Sequence, residues 1–325
     1  MTGVDIGLFD FDRHNALYYF AMNADERIYL RYGGRDATSP AAYLNLHSLE
    51  IALELGLEQH ELYKEGMLER QTRPAPFFPR DIPLLKREVL DRRRCVECHL
   101  IGDYQTQQLE VDGRLDKLKD MYVSPDIKTV GILLDKPRGL IVKHATGAVE
   151  EAGMEPGDLI TAINGSPVLT FGDFQYAYDK VPRDASQVQI AVSRSDERKL
   201  FAVDLPEEWW LTDLHFRYYS VEPLLYFSTE GLSQEEKKAY GFPAAGFASK
   251  VTEVRPQSKA FNLNELQAGD IIYSVGGVEF DKRTQHLETH ITLSQKSGER
   301  FPVKLLRDGK KLRMNIRSMR QGFRH

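Results

Sequence analysis

Cys95 and Cys98 are the two cysteines of this 325-residue chain, and His99 follows them directly. The spacing C-x-x-C-H is the attachment signature of c-type haem. On a helix, residues i, i+3 and i+4 share one face. The expectation is a helical turn from which Cys95 and Cys98 reach the two vinyl groups of one porphyrin. His99 then turns its imidazole to the iron. A haem held by two thioethers needs no deep pocket, so a short segment suffices. Met121 is a candidate second axial ligand, because a thioether suits haem iron. His47, His60 and His144 are others, and an open position on the iron is a further alternative.

Three readings compete with haem c. A helix dipole and nearby arginines lower a cysteine pKa, which allows a thiol–disulfide oxidoreductase. In that enzyme Cys95 attacks and Cys98 resolves. Zinc normally takes four ligands, and there is no second cysteine pair. In the third reading the two cysteines are inert.

The elements that must position this motif span residues 69–122. Pro74, Pro76, Pro79 and Pro83 favour an extended tether. Lys86, Arg87, Arg92, Arg93 and Arg94 read as a solvated helix face, or as guanidinium partners for haem propionates. After His99, the spacing of Leu109, Leu115 and Leu118 predicts a short helix that ends at Met121.

Upstream, residues 16–34 read as a hairpin. Leu17–Met22 is an apolar strand fit for burial on both faces, and residues 23–26 carry turn chemistry. Ile28, Leu30 and Tyr32 alternate with Arg27, Tyr29 and Arg31, as in a half-buried strand. A helix follows with Leu49, Ala52, Leu53, Gly56 and Leu57 on one stripe. The wording from Phe20 to Asp25 and from Ile28 to Gly33 resembles bacterial proteins that join a thioredoxin-like domain to PDZ domains. The resemblance implies a truncated thioredoxin-like half domain over 1–68, without the half that carries the redox cysteines.

Downstream the chain changes character. Ile141–His144 reads as a strand and Glu150–Met154 as a helical turn. Pro156-Gly157-Asp158 builds a tight turn, Leu159, Ile160 and Ile163 supply a buried strand, and Asn164-Gly165 is a hairpin turn. This phrase closely resembles the GD…NG segment of PDZ domains, particularly those of HtrA-like bacterial proteases. It recurs as Gly269-Asp270-Ile271-Ile272 with Gly276-Gly277, after an early strand at Val251–Val254. Self-similarity of this kind argues for two modules of one fold, 123–206 and 207–319, with a basic tail at 320–325.

The resemblance implies binding by β-augmentation, with a peptide C-terminus added to a sheet edge and its carboxylate held by a loop of N–H groups. Val130, Gly131, Ile132 and Leu133 have the form of that loop. Phe174 and Tyr178, on a helix after Phe171, would face the ligand or pack in the core. In the second module Pro223-Leu224-Leu225-Tyr226 lacks the glycine, so that module reads as docking or spacing.

Composition bounds the rest. Hydrophobic residues make up 42% and charged residues 28%, as in a globular protein of two or three domains. A net charge of −5 exerts no general pull toward nucleic acid, and no apolar run is of transmembrane length. The first residues lack signal-peptide character, whereas haem attachment and the PDZ resemblance point to an extracytoplasmic, periplasmic setting. No G-x-S-x-G context supports a protease. His286 and His290 lie one helical turn apart and read as an exposed pair. The expected architecture is α+β: a thioredoxin-like half domain, a helical linker and two tandem PDZ-like β-barrel or sandwich modules. The expected function is a non-hydrolytic scaffold that binds peptide C-termini and carries haem for electron transfer or sensing. The oxidoreductase and an inert-motif binding protein are the alternatives.

Overall fold

The computed structural model describes residues 1–68, 71–212, 223, 225–256 and 266–318. The hairpin forms as expected, from β1 (Tyr18–Met22) and β2 (Ile28–Gly33), paired antiparallel. Asn23 shapes the turn, because its side-chain oxygen accepts the N–H groups of Asp25 and Arg27. Ile28, Leu30 and Tyr32 are buried, but β1 is covered only in part. The apolar run before the turn is therefore half-buried, not enclosed on both faces.

Helix α1 (Leu46–Lys64) starts at Asn45, whose side chain accepts the Ser48 N–H at 2.9 Å. Its buried side is Ser48, Ala52 and Gly56, while Leu53 and Leu57 face solvent at 58% and 69% exposure. The expected leucine stripe is thus rotated. Small residues win the inner face because the helix lies close to the hairpin: a Cβ on Gly56 would sit 3.4 Å from that of Ala21.

The stretch 71–78 is extended and tied down, with the Phe77 carbonyl accepting from Ile6 and Gly7. Short helical pieces follow: α2 (Pro83–Leu85) with a π turn at Lys86–Leu90, then α3 (Cys98–Val111) and α4 (Lys117–Asp120). Met121 caps α4, but the three leucines do not share one helix: Leu109 is on α3, Leu118 on α4, and Leu115 lies in the loop between them.

The first repeat runs β3 (Ile132–Leu134), β4 (Val142–Ala145), α5 (Gly147–Glu151), β5 (Leu159–Ile163), β6 (Ser166–Pro167), α6 (Phe171–Asp179), β7 (Gln187–Arg194) and β8 (Glu197–Asp204). Strands β3 and β4 pair with each other, and the other four form a sheet in the order β6-β5-β7-β8. Asn164 and Gly165 both have positive φ, 45° and 80°, as the β5–β6 turn requires. Ile160 and Ile163 are buried as expected, but Leu159 is 42% exposed. The core of this repeat includes Ile132, Ile160, Ile190 and Phe174.

The second repeat runs β9 (Phe227–Gly231), α7 (Gln234–Ala239), β10 (Ser249–Val254), β11 (Ile271–Val275), α8 (Leu287–Ser294), β12 (Arg300–Arg307) and β13 (Lys310–Arg317). Its five strands make one sheet, β13-β12-β11-β10-β9. Gly276 and Gly277 turn the chain with φ of 61° and 89°. The tail at 320–325 lies outside the described residues.

Two compact units result. Among the described residues, one comprises those within 1–81, 96–99 and 122–212; the other comprises those within 82–95, 100–121 and 223–318. These units are drawn differently from the five segments read from the sequence, because the opening hairpin packs on α6 and joins the first repeat.

Candidate peptide-docking sites

The two repeats share one hydrogen-bonded clamp. Gly157 and Gly269 adopt φ of 96° and 95°, which an L side chain resists. The Gly157 N–H donates to the Val142 carbonyl and Val142 N–H to that of Asp158, at 2.8 and 2.9 Å. Gly269, Val251 and Asp270 repeat both bonds at 2.8 Å. Asp158 accepts the Glu155 N–H and a bidentate fork from Arg194 at 2.6 and 2.8 Å. Asp270 accepts the Gln267 N–H and the Arg307 fork at 2.7 Å. Both carboxylates are 1% exposed. Burial alone would raise the Asp158 pKa, but the Arg194 fork outweighs it and holds the group below its ordinary value. The arginines were missed from sequence, although each ends a strand 36 or 37 positions after its aspartate.

In the first repeat the expected carboxylate loop caps a 3₁₀ turn. Gly131 has φ +93°, and its N–H donates back to the Ile127 and Lys128 carbonyls. Val130 and Ile132 are buried, and Leu133 is half-buried on β3. Phe174 and Tyr178 do not line an open groove: both are 0% exposed, stacked along α6 with Phe171 and against Trp209. Their apolar bulk is worth more in the core than at a solvated wall.

Helix α6 is instead engaged by β2. The Arg31 N–H donates to Asp173 at 2.9 Å, and the Thr170 hydroxyl donates to the Arg31 carbonyl. Gly172 permits this approach, since a Cβ there would lie 2.5 Å from the Arg31 oxygen. Burial pushes Asp173 up to about 6, against the opposing pull of Arg31 and three backbone N–H groups.

In the second repeat β9 is an edge strand whose hydrogen-bonded neighbour is β10. Helix α8 lies beside it, with Leu287 and Ile291 in the core next to Phe227. The Glu288 carboxylate accepts the Thr229 N–H at 2.6 Å and its hydroxyl at 3.0 Å. That edge donor is therefore satisfied by the helix. His290 is buried, not exposed: its ring Nδ1 meets Asp281 at 2.6 Å and its face stacks on Phe247. Burial would raise the Asp281 pKa, but bonds from Arg283 and His290 hold it at about 2. His286 is exposed at the helix start. Pro223 and Tyr226 are buried, and Leu224 lies outside the described residues.

The C-x-x-C-H residues do not share one helical face. Arg93 adopts φ +56°, which ends the preceding turn, and residues 94–97 run without helix. Cys95 is exposed in that stretch, and Cys98 is the first residue of α3, with its Sγ 3.0 Å from the Met1 sulfur. His99 lies 2.9 Å from Glu97. Met121 is buried, His60 meets the Tyr29 hydroxyl at 2.8 Å, and His47 pairs with Glu50. His144 is exposed on β4. Glu88 engages Arg87 and Arg92, so these members of the basic run sit on a solvated, carboxylate-paired turn. Among the described residues, no group of three His, Cys, Asp or Glu side chains is placed to hold a metal ion.

The family model of the PDZ domain matches residues 231–317, from the end of β9 through β13. These residues form a PDZ domain. Two curated proteins of Xylella fastidiosa, strains 9a5c and Temecula1, are each 30% identical over 120 residues, or 35% of this chain. Both are named provisionally as zinc metalloproteases, and this chain spans about a quarter (26%) of their length. Among solved structures, the HtrA-type protease AlgW with a tripeptide is 15% identical at a TM-score of 0.25, covering 37% of this chain and 39% of that one. AlgW with a decapeptide is 15% identical at a TM-score of 0.24, covering 41% and 48%. Likenesses of that size carry no functional argument. No helix among the described residues is long and apolar enough to cross a membrane.

Proposed function

We propose that this chain is a peptide-docking protein built on two modules of PDZ type, with β9 and the matched residues 231–317 together as a binding site for peptide ends or exposed strands. The observation that carries this reading is the edge strand β9, which runs into the matched residues at Gly231 and lies beside α8 within them. A peptide strand laid on that edge gains main-chain hydrogen bonds, with the helix as its second wall. Glu288 must release the Thr229 N–H for this to happen. The clamp at Asp158 and Arg194 supports a second copy of the fold in the first repeat. The thioredoxin-like description of the opening hairpin and α1 rests on sequence wording and on their strand–turn–strand–helix order.

The test is calorimetric titration of the full chain with decapeptides of random sequence carrying free or amidated C-termini. Binding with an apparent Kd in the micromolar range is expected for the free acids. Glu288→Ala should tighten it severalfold by freeing the strand edge. No binding by either library would sink the proposal.

The C-x-x-C-H spacing supports a separate reading, in which Cys95 and Cys98 hold haem c by thioethers and His99 supplies an axial nitrogen. The exposure of Cys95 and the part-exposure of Cys98 leave both sulfurs within reach of solvent. Haem would add electron transfer or sensing to a binding protein of the extracytoplasmic space. The same accessibility serves the thiol–disulfide alternative.

A further inference from the structure

In the first repeat, a ligand of PDZ type would enter between β3 and α6. That space is crossed by the chain itself. Residues 35–45 leave β2 and span from α6 to both ends of β3. On α6, the Gln175 side chain accepts the Arg35 N–H at 3.2 Å and donates to the Arg35 carbonyl at 2.8 Å. These two bonds tie the Arg35 main chain to the helix. Phe171 carries the ring of Tyr43 flat upon it, with centroids 3.3 Å apart.

At the β3 end the contact is ionic. The Asp36 carboxylate, 3% exposed, lies 3.3 Å from both Lys128 and Lys136. Lys128 belongs to the turn leading into Gly131, and Lys136 to the turn after β3. The Thr38 and Ser39 N–H groups complete the shell, and the Ala37 N–H donates to Asp126. Lys136 also sits 4.6 Å from the Tyr43 ring centre, and its carbonyl accepts from Asn45. Anion, aromatic ring and main-chain amide are all supplied from within.

We infer that residues 35–45 are an internal occupant that closes the groove of the first module, with Asp36 standing in for the carboxylate of a peptide ligand. The inference rests on the peptide-docking reading of this fold. A displacing partner presents a free C-terminal carboxylate to Lys128 and Lys136 and an aromatic side chain to Phe171. The first module is then closed until such a partner, or release of Asp36, opens it.

Asp36→Asn in the full chain tests this, read by amide hydrogen exchange with and without the free-acid and amidated decapeptide libraries. Removing a charge held by two ammonium groups should raise exchange at Arg35 and Ala37 by roughly tenfold to a hundredfold. The β5 and β7 amides should stay protected, which shows that the module remains folded. With the segment released, the free acids should protect β3, and the amidated peptides should not. Tyr43→Ala combined with Asp36→Asn is the second variant, should one change leave the segment seated. Unchanged exchange at Arg35 and Ala37 in both variants overturns the inference. A released segment with no protection of β3 also overturns it, even where β9 is protected and the docking reading stands. Protection of neither β3 nor β9 removes the docking reading together with this inference.

Discussion

Replacing Arg194 by alanine tests whether the buried clamp holds the first repeat together. The change removes a bidentate fork at 2.6 and 2.8 Å and strands a carboxylate that is 1% exposed. Arg194 is itself partly exposed, so water can take its place in part, and leaving the buried acceptor short of its partner costs about 1–3 kcal/mol. For an m-value of about 2 kcal/mol/M in urea, the midpoint should fall by roughly 0.5–1.5 M. The chain provides its own reporter. Both tryptophans, Trp209 and Trp210, pack on the core of the first repeat, so their fluorescence follows that unit. The twin substitution Arg307→Ala breaks the matching fork on Asp270 and should show its loss in amide exchange across β11 and β12. A tryptophan midpoint lowered by less than about 0.5 M in folded Arg194→Ala protein would refute the clamp's importance.

Gly131→Ala should unfold the first unit or cost it more than about 3 kcal/mol, because the new Cβ would clash with the Thr146 carbonyl in a positive-φ conformation. Gly113→Ala, at φ +68° with nothing within 4 Å, is the control and should cost only about 1 kcal/mol; urea titration compares them. Asp173, raised to about 6, makes the first unit bind its proton more tightly folded than unfolded. Its contribution is whole below about pH 4 and lost as pH rises through 6, a change on the order of 2–3 kcal/mol. Thermal unfolding should show this slope, and Asp173→Asn should flatten it. Protein matured with haem-attachment machinery should show a covalent haem spectrum and no alkylatable thiols; two thiols that react with iodoacetamide would leave the dithiol or the inert motif.

Much of the fold was legible because its signals are local. Residues 28–32 alternate, Asn164-Gly165 and Gly276-Gly277 turn, and the glycine–aspartate phrase marks each repeat. Those features depend on period and on positive φ, which neighbouring residues settle. The site was less legible. Phe174 and Tyr178 have the spacing of a groove wall and of a core stripe alike, and only packing against Trp209 decided between them. The inner face of α1 went to Ala52 and Gly56 because of how closely the hairpin approaches, a distance that composition does not encode.

By itself the sequence determined the repeat, its turns, its strands and a C-x-x-C-H spacing with a recognisable chemistry. The tertiary structure decided which distant side chains meet. Asp36 finds Lys128 and Lys136 some ninety or a hundred positions away, and Glu288 finds Thr229 across 59. Such contacts arise only once the chain has closed its loops, so no window of neighbouring residues could announce them.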